Sequence, residues 1–201
     1  MREIYKSGVT PQQKIVAINN KFGNSSVKDQ QGTSRILYDT IRSTGQTNFR
    51  FFEDSASRTF PLTNTGSEGN KLGVGDTMVI AQVLFAVQIF NTANQSWLGY
   101  ADLATNGIAK ELGYFNVEIA NNQVIKKVTL TESLVNFNKD TLNVSSAVID
   151  LETSIVIPPL LPFVVELQLP EAITGFPPNF EVYATCQIIG VGGIIAPRTT
   201  F

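Results

Sequence analysis

No histidine occurs anywhere in the 201 residues. That removes Ser–His and Cys–His catalytic arrangements, His-ligated zinc and the commonest general base together. A single cysteine, Cys186, excludes an intrachain disulfide. Charged residues make up only 16% of the chain, below the usual quarter, and Thr, Ser, Asn and Gln supply the polarity instead. Weakly charged, amide-rich surfaces suit proteins that pack against copies of themselves, and they also occur in exported β-proteins. The first ten residues, MREIYKSGVT, lack the apolar core of a secretory signal, so the three Asn-x-Ser sequons at Asn24, Asn94 and Asn143 read as chance and the expected setting is a reducing cytoplasm. Apolar runs are too short for a membrane helix, because Gln82 and Gln88 split the longest one.

What is present points to strands. Hydrophobic residues reach 43%, enough for a sizeable core in one domain, or in one domain with an arm. From Thr77 to Phe90 the chain reads TMVIAQVLFAVQIF, rich in β-branched and aromatic residues and without proline. Side chains alternate across a strand, so the odd positions Val79, Ala81, Val83, Phe85, Val87 and Ile89 should form one dry face. Further strand faces follow. Phe49 and Phe51 share one, and Trp97 to Tyr100 reads as a short strand. Tyr114 to Thr131 reads as a hairpin turning at Asn121-Asn122, with Phe115, Val117 and Ile119 facing Val124, Val128 and Leu130. Ala147 to Ile157 alternates cleanly. Phe163, Val165, Leu167 and Leu169 form the next inward set, and Phe180, Val182, Ala184, Cys186 and Ile188 the last. Eight to ten short strands with Gly, Pro and Asn turns predict an all-β fold, an antiparallel two-sheet sandwich of jelly-roll type, with an immunoglobulin-like sandwich as the second choice.

Residues 1–46 differ from the body at 47–201. Thr10-Pro11-Gln12-Gln13 resembles a capping box, and Ile15, Ile18 and Phe22 then share one face of a short helix over about 11–22. A helix of that length needs a surface to dock on. The polar stretch after it leads into Arg35 to Arg42, a short strand or extended tether, and the region reads as an arm. Residues 1–60 carry nine basic and five acidic residues, net +4, whereas the remainder carries six and twelve, net −6. Opposite signs on the two parts imply that the first lies on an acidic surface, its own or a neighbour's. Inter-subunit contacts are expected from Ile15, Ile18 and Phe22, with Arg35 and Arg42 reaching the acidic body. The basic residues are dispersed, so no specific nucleic-acid site is expected.

A search for chemistry finds few parts. Asp150 and Glu152 lie on one strand face roughly 7 Å apart, a spacing within the range for an inverting glycosidase. They equally fit the wet face of an amphipathic strand. Cys186 falls on an apolar face with nothing near it in sequence to lower its pKa. Gly73-Val74-Gly75 and Gly190-Val191-Gly192-Gly193 are not phosphate-binding fingerprints, since no helix opening or Lys-Ser/Thr follows. Trp97 and Tyr100 have the character of a sugar-stacking pair, or of a cover over a barrel end. No metal, cofactor or catalytic set is expected.

Three stretches resemble bacteriophage virion proteins. They are the arm ending Arg35-Ile36-Leu37-Tyr38-Asp39-Thr40; Arg58-Thr59-Phe60-Pro61-Leu62-Thr63-Asn64 with Asn70-Lys71-Leu72-Gly73-Val74-Gly75-Asp76; and Ile157-Pro158-Pro159-Leu160-Leu161-Pro162-Phe163. The likeness is to β-sandwich capsid-shell subunits, particularly of tailless phages with jelly-roll coats. It implies a non-catalytic, self-assembling subunit located in the virion, whose partners are copies of itself and other virion proteins. The alternative is a carbohydrate- or receptor-binding β-sandwich such as a head fibre, tail adaptor or lectin-like module.

Overall fold

The computed structural model describes residues 30–65, 69–74, 76–101, 113–130, 146–173 and 176–195. Nine strands run through them: β1 (Gln30–Arg42), β2 (Asn48–Phe51), β3 (Thr77–Asn91), β4 (Ser96–Ala101), β5 (Tyr114–Ile119), β6 (Asn122–Thr129), β7 (Ser146–Ile157), β8 (Phe163–Gln168) and β9 (Phe180–Ile195). A single 3-10 turn, Ser55–Ser57, is the helical element among the described residues. The helix expected over 11–22, with Ile15, Ile18 and Phe22, lies outside them.

The strands form two antiparallel sheets. The larger has the order β1-β9-β3, with β7 and β4 both on the far side of β3; the smaller has the order β2-β8-β5-β6. β4 and β7 lie end to end along β3, since Ala101 pairs with Val87 and Ser146 with Ala86. The pairings are nested: β1 with β9, β2 with β8, β3 with β7 and β5 with β6. The two inner faces bury one core. A row of rings crosses it from β2 to β3 to β5, with Phe51 6.0 Å from Phe85 and Phe85 5.4 Å from Phe115. These three rings are fully enclosed, so each interior contact is dispersion between close-packed aromatics.

Three expectations change. The segment 35–42, read as the end of an arm, is part of a thirteen-residue strand paired along its length with β9, so a boundary at 46/47 does not part it from the body. The central strand does not keep one parity. Its pairing with β9 slips between Ile80 and Gln82, leaving Ala81 as an extra, exposed residue. Met78 and Ile80 face the core before this bulge, and Val83, Phe85 and Val87 after it. Gly190 stands opposite Ile80, and a Cβ there would overlap the Val79 carbonyl oxygen. Finally, the hairpin turns at Ala120-Asn121, both with positive φ, as a two-residue turn between Ile119 and Asn122. The earlier turn places Ile125 inside and leaves Val124 46% exposed. A later irregularity at Lys127, φ 48°, restores Val128 to the core side.

Candidate functional site

The outer faces of the two sheets differ in chemistry. Alternation from the core residues puts Asn48, Arg50, Asn116, Glu118 and Glu166 on the outside of the smaller sheet. They make a connected polar network. The Arg50 guanidinium donates to Glu53 at 2.7 Å and to Glu118 at 3.5 Å, and lies 4.0 Å from Glu166. Asn48 and Asn116 donate to the two oxygens of Glu166 at 2.7 and 2.8 Å. Those two hydrogen bonds, with the Arg50 charge behind them, hold the Glu166 carboxyl below its ordinary value against the effect of its partial burial. The hydrogen bond to Glu53 in turn raises Arg50. Asn116 also accepts the Lys127 N–H at 2.8 Å, filling the gap that the β6 irregularity opens.

The outside of the larger sheet is broader and, among the described residues, carries little charge. Ile36, Tyr38 and Thr40 of β1, Tyr183, Thr185 and Gln187 of β9, and Leu84, Ala86 and Gln88 of β3 form its middle. Thr40 and Thr185 touch through their hydroxyls at 3.1 Å and are buried, as is Ala86. The charged groups described on this face sit at its margins. Asp150 accepts from Gln82 at 2.6 Å, and Arg42 pairs with Glu181 at 2.7 Å. Tyr183 donates to Glu181 at 2.7 Å, and burial followed by that bond pushes its phenol up to about 12. Beside them Trp97 packs 5.1 Å from Phe90 and 5.0 Å from Tyr183 while staying 38% exposed. Tyr100 lies in β4 with its backbone paired to Gln88. At the end of the sandwich where β1 leaves and β9 enters, Arg42, Ser43, Thr92, Ile173, Phe180 and Glu181 line an open hollow of about 400 Å³. Ser43 Oγ is buried there without a partner among the described residues.

Arg35 and Arg42, expected to reach the acidic body, meet carboxylates of this chain: Arg35 reaches Asp76 at 2.9 Å and Arg42 reaches Glu181. Both sit on β1, which is a sheet strand and so holds them against the later, acidic part of the chain. Asp150 is exposed, as a wet-face carboxylate should be. Cys186 is fully buried, and burial first, with the Asp39 charge adding to it, raises its thiol well above the ordinary value. Among the described residues no three metal-ligating side chains gather, and no helix is long and apolar enough to cross a membrane.

A further polar centre lies inside the sandwich. Asp39 on β1 faces inward and is wholly buried. Arg58 grips it with two bonds, Nε to Oδ1 at 2.9 Å and Nη2 to Oδ2 at 2.6 Å, and the Phe52 N–H donates to Oδ2 at 2.6 Å. Phe52 holds a positive φ of 70°. The alternation of β1 offered a clue, since Leu37, Asp39 and Ile41 share one parity and a carboxylate among apolar neighbours demands a partner. Nothing in the sequence pointed to Arg58, which is nineteen residues away on an irregular loop.

No family model matches this chain, and no curated protein matches its sequence.

Proposed function

We propose that this chain is a structural, non-catalytic subunit of a virion shell, of the jelly-roll kind found in bacteriophage coats, which works by self-association with copies of itself and with other virion proteins. The nested pairing carries the reading. Among the described strands the first pairs with the last, the second with the second-last and the third with the third-last around an innermost hairpin, the pairing expected of an antiparallel ribbon wrapped across two sheets. β4 is an addition beside β3. The contrast between the outer faces supports the same reading. The smaller sheet turns a charged, solvated network outward, whereas the larger turns out Ile36, Tyr38, Leu84 and Gln88, with charge among the described residues only at the margins, a composition suited to the middle of a protein contact.

The test is direct. Purified full-length protein viewed by negative-stain electron microscopy should show closed shells or their partial assemblies, and monodisperse single molecules across salt and protein concentration would overturn the reading. The arm is tested by deleting residues 1–29, because Gln30 already begins β1. The truncated chain should keep its strand circular dichroism and lose assembly, and normal assembly would remove the arm from the proposal.

A second reading, glycan or receptor binding, draws on Trp97, whose ring is braced by two aromatics yet partly open. It requires glycan binding that is lost in Trp97→Ala while the fold is kept.

A further inference from the structure

Among the described strands β1 is at the edge of the larger sheet, and its edge is plugged by a side chain. The Asn64 Oδ1 accepts the Tyr38 N–H at 2.8 Å, and its Nδ2 donates to the Ile36 carbonyl at 2.7 Å. The Asn64 backbone N–H and the Thr63 hydroxyl both reach the Tyr38 carbonyl, at 3.3 and 3.0 Å. These are the outward-pointing groups that a neighbouring strand would engage. A carboxamide has the same donor and acceptor as a peptide unit, so one side chain stands in for an added strand. The loop bearing it is latched from inside, because Arg58 and the Phe52 N–H are tied to Asp39 on the same strand.

We infer that the β1 edge is a strand-addition site held closed by Asn64, and that its occupant when the loop lifts is β1 of a second copy, running antiparallel. A two-fold axis at Leu37 makes this pairing self-complementary. It sets Ile36, half exposed, against the second copy's Tyr38 on the outer face, so an apolar residue meets an aromatic one. The odd residues bond to β9 and the even ones point outward, so the Ile36–Tyr38 pair would exchange two backbone hydrogen bonds, replacing the two that the Asn64 amide makes. The closed plug serves as protection against indiscriminate edge pairing, which sheets otherwise manage with charge, proline or bulges. This inference rests on the β1 edge alone and stands or falls apart from the coat reading.

The experiment compares full-length parent, Asn64→Ala and Asn64→Lys by sedimentation over a concentration series, with amide hydrogen exchange at Tyr38. Asn64 is exposed, so the fold should survive each change. The alanine variant should self-associate about tenfold or more tightly than the parent, the scale of one exposed hydrogen bond. Its Tyr38 amide should exchange fast when dilute and slowly when concentrated. The lysine variant should lose the plug yet remain at the parent's association state, because a charge lies on the edge. If the alanine variant sediments like the parent at every concentration, or associates with its Tyr38 amide exchanging equally fast throughout, the inference is overturned. Should alanine prevent folding, Asn64→Ser, too short to reach both groups, is read by the same outcomes.

Discussion

Asp39 shows how a single buried charge can organise a loop. Its carboxylate accepts three hydrogen bonds in the interior beside Cys186, and without them a desolvated anion would stand among apolar groups. Removing the partner should be costly. Arg58→Met is expected to lose about 3–5 kcal/mol, because it leaves the anion buried and unpaired. The double change Asp39→Asn with Arg58→Met should recover much of that loss, and urea midpoints of the parent and the two variants read it directly. Cys186 should behave as an inert core atom: its thiol should not react with an aromatic disulfide reagent in the native protein and should react at once in denaturant. Glu166 gives a pH test. Its folded pKa is lowered, so its contribution is complete above the unfolded value of about 4.3 and is lost as the pH falls through the lower folded value. The stability gap between parent and Glu166→Gln should be steady at neutral pH and close in that acid window. Tyr183 acts at the other end. Its raised pKa means that the unfolded chain ionises first, so stability should fall as the pH rises from about 10 towards about 12, and less so in Tyr183→Phe.

At the level of elements, most strands could be read from alternation, because period-two hydrophobicity is what a half-buried strand requires. The faces of β8 and β9 follow their alternation, with Phe163, Val165 and Leu167, and Val182, Ala184, Cys186 and Ile188, in the core, whereas Phe180, at the start of β9, is half-buried and lines the hollow at the sandwich end. The central strand did not, and the reason is physical. Every residue from Met78 to Ala81 is apolar, so hydrophobicity alone cannot register a one-residue slip. The signal lay on the partner, in Gly190, where only the absence of a Cβ lets β9 pass the Val79 carbonyl. Gly190→Ala should therefore cost at least about 2 kcal/mol, in the range of overpacked cores, and shift the resonances of Val79 and Ile80 before those of β8. The hairpin misreading has a related cause. Asn121 marks the turn in the sequence, but Ala120 in a left-handed conformation has no compositional mark. The polar centres were the least legible. Asn64 and Arg58 act through contacts fixed only when an irregular loop folds back on β1.

Across the whole molecule, the charge split visible in composition has a structural counterpart. Arg35, Arg42 and Arg50, from the basic first part, each pair with a carboxylate from the acidic remainder. Such pairs are partly solvated and screened, so they order the two parts more than they stabilise them. The ring row through Phe51, Phe85 and Phe115 is the firmer tie between sheets. Phe85→Ala should cost about 3–5 kcal/mol and lower the thermal midpoint more than any single loss among those surface pairs.

The partnership of β1 with β9 also dictates when this protein can exist as a folded object. Gln30 meets Ile195, so the strand made first must wait for the strand made last. Until the residues up to Ile195 have been made and set free, the larger sheet lacks the strand that joins β1 to β3 and cannot close. Folding of so non-local a topology is slow, and until it is complete β1 and β9 lack the backbone partners that they give each other in the closed sheet.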